Sequence, residues 1–515
     1  MTEDSSKLIQ RLFEHLPGLR EDLSAAAGKA STILQGALEG LEIDPQSRPR
    51  AHRCRRILAR LFTDETTAGT LAALAAGEQP SCSPRFLYEL ERLFAGLAGD
   101  EATPAAENEA VSTGTFLERY PHGLDRETSR RRHKNRVRIL NELGGTPSQW
   151  DDWLWQMRNT VDDVDQLTAL IELEPAEKQC IKRAAGNGVR WAITPHYLSL
   201  FDALDGKHHD AAIRNRALPP PSSRKPATGK EILERLGPFS VRINIDHGQP
   251  QYCFESDSHS PGETDEAEVH QALEWFADHE EVHEAVFGGG DLLCLDDSRV
   301  EGLLAAVSRY KHIRRLRIDT DFPVVLPQRF TALLTKILGR YIKPGKLEVC
   351  LVTRFIHPYE ITTDVVTMVK RLNQAGISIY NETPYLVDNA RRFELVALHQ
   401  ALRLAGLLSF TDIWRCGDGV PLARVLQERI EEAGLIPGLE RTAVPLIELE
   451  NGLRLPLHAE RELVALRPVD GRRVYRFCGY DNGHTVIDDS LAAFVETLVE
   501  GGERAEDYDD IWFFI

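Results

Sequence analysis

Apolar positions change their spacing along this chain, and the changes divide it. From the N-terminus to about residue 110 they recur at helical intervals, as at Leu8, Ile9, Leu12, Phe13 and Leu16 and again at Leu58, Leu61 and Leu71 to Leu74. This i, i+3, i+4 spacing lines one face of an α-helix. Residues 98–114 (AGDEATPAAENEAVSTG) are acidic, small and proline-containing, the composition of a linker. A helical N-terminal domain is therefore predicted over 1–110. A second helical region follows over 115–235, and 219–225 (PPPSSRK) breaks its pattern. From Ser240 onward short β-branched runs alternate with longer amphipathic ones. The run 240–246 precedes a helix from 264, 283–287 one from 297, and 314–319 one from 327; the runs 347–352, 376–381 and 408–414 are each followed by a helical pattern. Six such units with short connections predict an α/β fold over 236–435, a parallel sheet covered on its outer side by helices, with 436–515 as a C-terminal segment.

Composition narrows the picture. The 515 residues suffice for two or three domains, and 42% hydrophobic with 27% charged residues is ordinary for a soluble globular chain. No apolar run is long enough to span a membrane, and MTEDSSKLIQRLF lacks the pattern of a secretory signal, so a cytoplasmic location without membrane partners is expected. Eight dispersed cysteines without a C-x2-C pair predict reduced thiols and neither a disulfide framework nor a zinc ribbon. The net charge of −18 argues against nucleic acid as a partner of the whole chain. One stretch differs: 126–138 (RETSRRRHKNRVR) holds seven basic side chains. Such a run reads as a solvated helix face or a contact with an acidic neighbouring domain, against an anion or nucleic-acid site.

Several motifs follow one another in a specific order: WDDWLWQMRN from Trp150, AITPHYLSL from Ala192, IRNRALP from Ile213, GGGDL from Gly288, PVVLPQR from Pro323, HPYEIT from His357 and AVP from Ala443. Across residues 145–470 this series resembles the lysine 2,3-aminomutase family of radical S-adenosylmethionine enzymes. The resemblance implies a partial (βα)6 barrel preceded by helical segments. In that family the loop after the first strand carries C-x3-C-x2-C, three thiolates holding a [4Fe-4S] cluster. Within SVRINIDHGQPQYCFESDS the corresponding positions are Gln249, Cys253 and Ser256. Neutral amide and hydroxyl oxygens are poor substitutes for a soft, anionic sulfur. Cys253 then reads as an ordinary half-buried thiol; a metal site borrowing Asp246, His247, Glu255, Asp257 or His259 would match no known ligand spacing.

Other positions depart in the same direction. The resemblance places a Schiff-base lysine for pyridoxal phosphate at Arg454, and arginine stays protonated and cannot attack an aldehyde. Leu236 to Ser240 (LGPFS) stands where the family has arginines for the cofactor phosphate, Asp321 replaces a further one, and Ser258 stands at the arginine for the substrate carboxylate. These changes lead to the expectation that [4Fe-4S] and pyridoxal phosphate are absent. Gly288, Gly289, Gly290 and Asp291 match the segment that meets the ammonium of S-adenosylmethionine, so residual binding of that molecule stays open. The same residues also suit a tight turn with an N-capping aspartate. Asp412 and Glu450 match carboxylates that contact the side-chain ammonium of lysine. They would favour a small cationic amino acid or polyamine, or an internal partner such as Arg454. Three functions remain from the sequence: a non-catalytic ligand-binding or complex-forming homologue, alone or as a homo-oligomer or with a pathway protein; an active aminomutase with atypical cluster ligation; and a non-radical enzyme reusing the cavity, with Asp246, His247, Cys253, Asp291 or Asp412 as its reactive groups.

Overall fold

A computed structural model describes residues 5–98 (except 16–17, 26–28, 42–48 and 79–81), 120–218 (except 187–190 and 203–209), 239–415 (except 247–248, 257–265, 289–290, 385–388 and 390–393) and 444–487 (except 449–453, 457–460 and 478–483). Near the N-terminus the helical pattern becomes, among the described residues, the helices Ser5–Glu14, Leu19–Ala25, Ala30–Gly40, Pro49–Leu61, Glu65–Ala75 and Pro84–Ala98. Their apolar stripes meet in a core containing Leu8, Leu58, Phe62, Leu71, Phe86, Leu90 and Phe94. Asp64 starts the fifth helix by accepting a hydrogen bond from the Thr67 N–H at 2.8 Å, which satisfies one of the open donors of a helix N-terminus.

A second helical layer comprises Arg126–Glu142, Trp153–Arg158, Val164–Leu170, Pro175–Gly186, Pro195–Leu198 and Ala211–Ala217. Gln156 joins two of the motifs. Its amide donates to the Trp150 carbonyl at 2.9 Å, and its side-chain oxygen accepts from the His196 N–H at 2.9 Å. Both ends of the fully buried amide are thereby satisfied.

Among the described residues, a nine-stranded sheet runs in chain order: β1 (Phe239–Asp246), β2 (Gln249–Ser256), β3 (Glu284–Phe287), β4 (Arg315–Asp319), β5 (Glu348–Thr353), β6 (Ser378–Pro384), β7 (Leu408–Arg415), β8 (Val444–Glu448) and β9 (Arg454–Pro456). Strands β2 to β8 are parallel, and the two edge strands are antiparallel to their neighbours. Helices Glu266–Asp278, Asp297–Val307, Ala332–Arg340, Thr363–Gln374 and Glu394–Ala405 occupy the crossovers. This is the α/β fold read from the alternation, and it agrees with a radical S-adenosylmethionine type of barrel. One segment differs from expectation. The stretch expected as a loop after the first strand is itself a strand, β2, paired with β1 from Phe239 opposite Ser256 to Asp246 opposite Gln249. It is β2, not β1, that joins β3, with Cys253 beside Val286. Tyr252 and Phe254 alternate with Gln251, Cys253 and Glu255, a period of two that suits a pleated strand.

Alternation also sorts the two faces of the sheet. Ala285, Phe287, Leu316, Ile318, Val349, Leu351 and Ile379 are fully buried in the core. The alternate positions, Glu284, Arg315, Arg317, Asp319, Glu348, Cys350, Tyr380 and Glu382, make the opposite face polar.

The two ends of the chain meet. Antiparallel strands β10 (Arg461–Leu466), β11 (Arg473–Phe477) and β12 (His484–Ile487) form a separate sheet. The Thr67 hydroxyl donates to the Leu466 carbonyl at 3.0 Å, the Ser83 N–H to the Pro468 carbonyl at 2.7 Å, and Arg473 Nε to buried Glu89 at 2.8 Å. No helix among the described residues is long and apolar enough to cross a membrane.

Candidate functional site

The polar face of the sheet carries charge in rows. Nearest the amino ends of the strands, Arg315 Nε donates to Glu348 at 2.8 Å, its NH1 lies 3.7 Å from Glu284, and the Tyr380 hydroxyl donates to Glu348 at 3.2 Å. The next row places Cys253, Val286, Arg317, Cys350 and Ser378 in register across five strands. Arg317 turns toward the carboxyl ends and grips Asp319 with two hydrogen bonds, 2.6 and 3.0 Å. Burial opposes its charge, but Asp319 and Glu382 outweigh that and raise its pKa. Burial pushes the Cys350 thiol up, so it stays protonated. Barrel interiors of this kind are usually filled with branched apolar side chains. This interior instead holds ion pairs.

Beyond the carboxyl ends lies a second network. Asp321 accepts from Arg354 at 3.2 and 3.3 Å and lies 3.7 Å from Arg216, which the helix Ala211–Ala217 delivers. Arg216 also donates to Glu360 at 3.0 Å and to the Arg354 carbonyl at 2.6 Å. Glu360 accepts from the Tyr197 hydroxyl at 2.8 Å and from the Ile356 N–H at 2.7 Å. Burial works against the Arg216 charge, but Glu360 and Asp321 hold its pKa above the ordinary value. Asp321 is thus not a bare acid: two arginines face it.

The sequence-derived positions are distributed as follows. Gly288 is buried directly after β3, whereas Gly289 and Gly290 lie outside the described residues. Asp291 behaves as an N-cap: one oxygen accepts from the Leu293 N–H at 3.0 Å, and the other from the Thr320 hydroxyl at 2.7 Å and the Asp321 N–H at 3.2 Å. Burial pushes its pKa up to about 7. Asp412 sits on β7 in register with Thr383 and Pro445. Glu450, His247, Asp257, Ser258 and His259 fall outside the described residues, and so does the stretch before Phe239. Arg454 stands opposite Glu448 in the β8–β9 pair, while Asp246 is opposite Gln249 and Glu255 opposite Ser240.

Gln249, Cys253 and Ser256 all lie on β2. Four residues of extended chain set the backbones of the first two about 13 Å apart. Backbone positions spread that far along one strand do not fit a cluster held by all three, and no chemical step is derived through one.

Sequence reasoning assigned no role to Arg216, Arg317, Arg354, Glu360, Glu382 or Tyr197. Arg216, Tyr197 and Glu360 were within reach, since IRNRALP, AITPHYLSL and HPYEIT contain them. Arg317 and Asp319 could have been found from the charge at alternate positions of RLRID, which is unusual for a strand in a parallel sheet.

Parallel strands in chain order, a polar interior and charged groups at the strand ends define an α/β barrel protein of radical S-adenosylmethionine type. No family model matches the chain. It is 29% identical over 447 residues to an uncharacterized KamA family protein of Methanocaldococcus jannaschii, covering 78% of this chain and 71% of that protein. It is 29% identical over 300 residues to the glutamate 2,3-aminomutase of Clostridioides difficile, covering 54% of this chain and 68% of that enzyme. It is 30% identical over 256 residues to a putative L-lysine 2,3-aminomutase of Aquifex aeolicus, covering 46% of this chain and 67% of that protein. The chain belongs to the lysine 2,3-aminomutase family.

These relatives correct one expectation. From the sequence alone, [4Fe-4S] and pyridoxal phosphate are expected to be absent. The homologues are members of a radical enzyme family that uses the cluster, S-adenosylmethionine and pyridoxal phosphate, and neither the relatives nor the described residues show that this chain has lost them. The departures at Gln249, Ser256 and Arg454 are facts about donor atoms and not about cofactor content.

Proposed function

We propose that this family member binds a small cationic amino acid at the carboxyl ends of its strands, and that recognition of this ligand, rather than its turnover, is its task. The observation that carries the reading is the acidic character of the rim. Asp319 on β4 and Glu382 on β6 lie on the polar face, whereas Asp412 on β7 is in register with Thr383 and not with Glu382. An ammonium group entering there would gain charge-assisted hydrogen bonds to carboxylates already gathered by the fold. Arg317 neutralises part of this acidity and would orient the ligand by repelling its cationic end. Arg454 argues against turnover through a covalent amine intermediate, because its guanidinium does not deprotonate at physiological pH.

A second reading, amino-group migration between adjacent carbons, is favoured by the printed activities of the relatives, glutamate and L-lysine 2,3-aminomutase. We assign the protein to the cytoplasm and propose small-molecule ligands, with self-association or a pathway protein as its macromolecular contacts. Thermal-shift titration of the full chain with L-lysine, L-arginine, spermidine and L-glutamate tests recognition. A cationic amino acid should raise the melting temperature in a dose-dependent way, and Glu382→Gln should remove most of the shift. No response to any cation would end the binding reading. β-Lysine formation after anaerobic reconstitution, followed by NMR, would replace the non-catalytic reading with the second.

A further inference from the structure

The helix Arg126–Glu142 (RETSRRRHKNRVRILNE) carries seven arginine and lysine side chains on a chain whose net charge is −18. The structure divides them into two sets. Three turn inward and are consumed by the fold. Arg132 is buried, donates to the Gly123 carbonyl at 2.8 Å and stacks on Tyr359 with its guanidinium carbon 4.5 Å from the ring centre. Arg131 meets the Tyr359 hydroxyl at 3.2 Å and Asp202 at 3.4 Å. Arg136 lies over Trp150 at 5.0 Å and donates to the Pro147 carbonyl at 3.2 Å.

The other four, Arg126, Arg130, Lys134 and Arg138, are exposed. They follow one another at intervals of four, the spacing that aligns side chains along one side of a helix. Together they form a ladder about 18 Å long at 1.5 Å rise per residue. Among the described residues no carboxylate is paired with any of them, while Glu127 is drawn toward Arg131. Like charges at i, i+4 destabilise a helix slightly. Fold stability therefore does not explain the arrangement.

We infer that this ladder docks an acidic polypeptide segment. Charge complementarity gives the sign of the partner. The class follows from what accompanies the cations: Val137 lies between Lys134 and Arg138 and is 44% exposed, and Leu124, just before the helix, is 42% exposed. An acidic peptide with interspersed apolar side chains satisfies both the charges and these two side chains. A phosphate backbone would leave them uncovered. Single-stranded nucleic acid is usually gripped by aromatic stacking platforms as well, and this helix contains no Phe, Tyr or Trp. Docking here is independent of ligand binding in the barrel, so either can fail alone.

The test is fluorescence anisotropy with the full-length protein and a labelled peptide of repeated Glu-Glu-Leu-Glu, against a labelled oligouridylate of similar length. The peptide should bind, its affinity falling as salt rises. The quadruple variant Arg126→Gln, Arg130→Gln, Lys134→Gln, Arg138→Gln should bind about tenfold or more weakly. The double variant Val137→Ser, Leu124→Ser, which keeps every charge, should also weaken the peptide. Unchanged circular dichroism melts in both would confirm intact folds. Peptide affinity that the quadruple variant leaves unaltered would overturn the inference. So would tighter binding of the oligouridylate than of the peptide, or sedimentation showing that the ladder instead holds a second copy of the chain.

Discussion

At Asp291 one carboxylate serves two elements at once. It caps the short turn after β3 and anchors the end of β4 through Thr320 and the Asp321 N–H. The cost is a buried acid beside Asp321, and burial pushes its pKa up to about 7. A folded-state pKa above the unfolded value of about 3.9 means that the native protein holds this proton more tightly. The contribution to stability is complete below about pH 4 and is lost as pH rises through about 7. Asp291→Asn keeps the cap but has no proton to lose. The denaturation free energy of the parent should fall by about 2–3 kcal/mol more than that of the variant between pH 5 and pH 8. Urea unfolding at both values measures this, and parallel pH profiles would show that Asp291 is ionised at little cost.

Between elements, Glu360 is the connecting group. Its carboxylate holds Arg216 and Tyr197 from the helical lead-in and the Ile356 N–H after β5. It is fully buried, as is most of Arg216. Breaking one side of a buried pair leaves a charge without its partner, which costs about 3–5 kcal/mol. Glu360→Gln should lower the melting temperature by an amount in keeping with that range. Asp364→Asn serves as the comparison, because its side chain is 36% exposed, and a carboxylate open to water is worth about 1 kcal/mol or less in a pair. Equal shifts in differential scanning fluorimetry would remove Glu360 from its connecting role.

For the molecule as a whole, the decisive contact joins residues nearly four hundred positions apart in sequence, through Glu89 and Arg473, whose side chains are each 1% exposed. The terminal sheet β10–β12 rests on the N-terminal helices through this pair and through Thr67. Glu89→Ala should accelerate hydrogen exchange in β10, β11 and the helix Pro84–Ala98 while leaving β3 to β6 protected. Faster exchange throughout the barrel would mean that the terminal unit and the barrel unfold together.

The sequence by itself determined the α/β architecture, because β-branched runs and amphipathic helices differ in period and each must bury an apolar face. The motif order also carried the family, and the N-terminal stripes carried the helices. It could not decide the hairpin at 239–256, since a half-polar segment such as QPQYCFES becomes a strand only when neighbours on both sides pair with it. Nor could it show that Asp321 faces Arg216 and Arg354, or that four of the seven cations on Arg126–Glu142 look outward. Tertiary structure decided these because a charge acts through distance and desolvation, and both are set by which elements pack together.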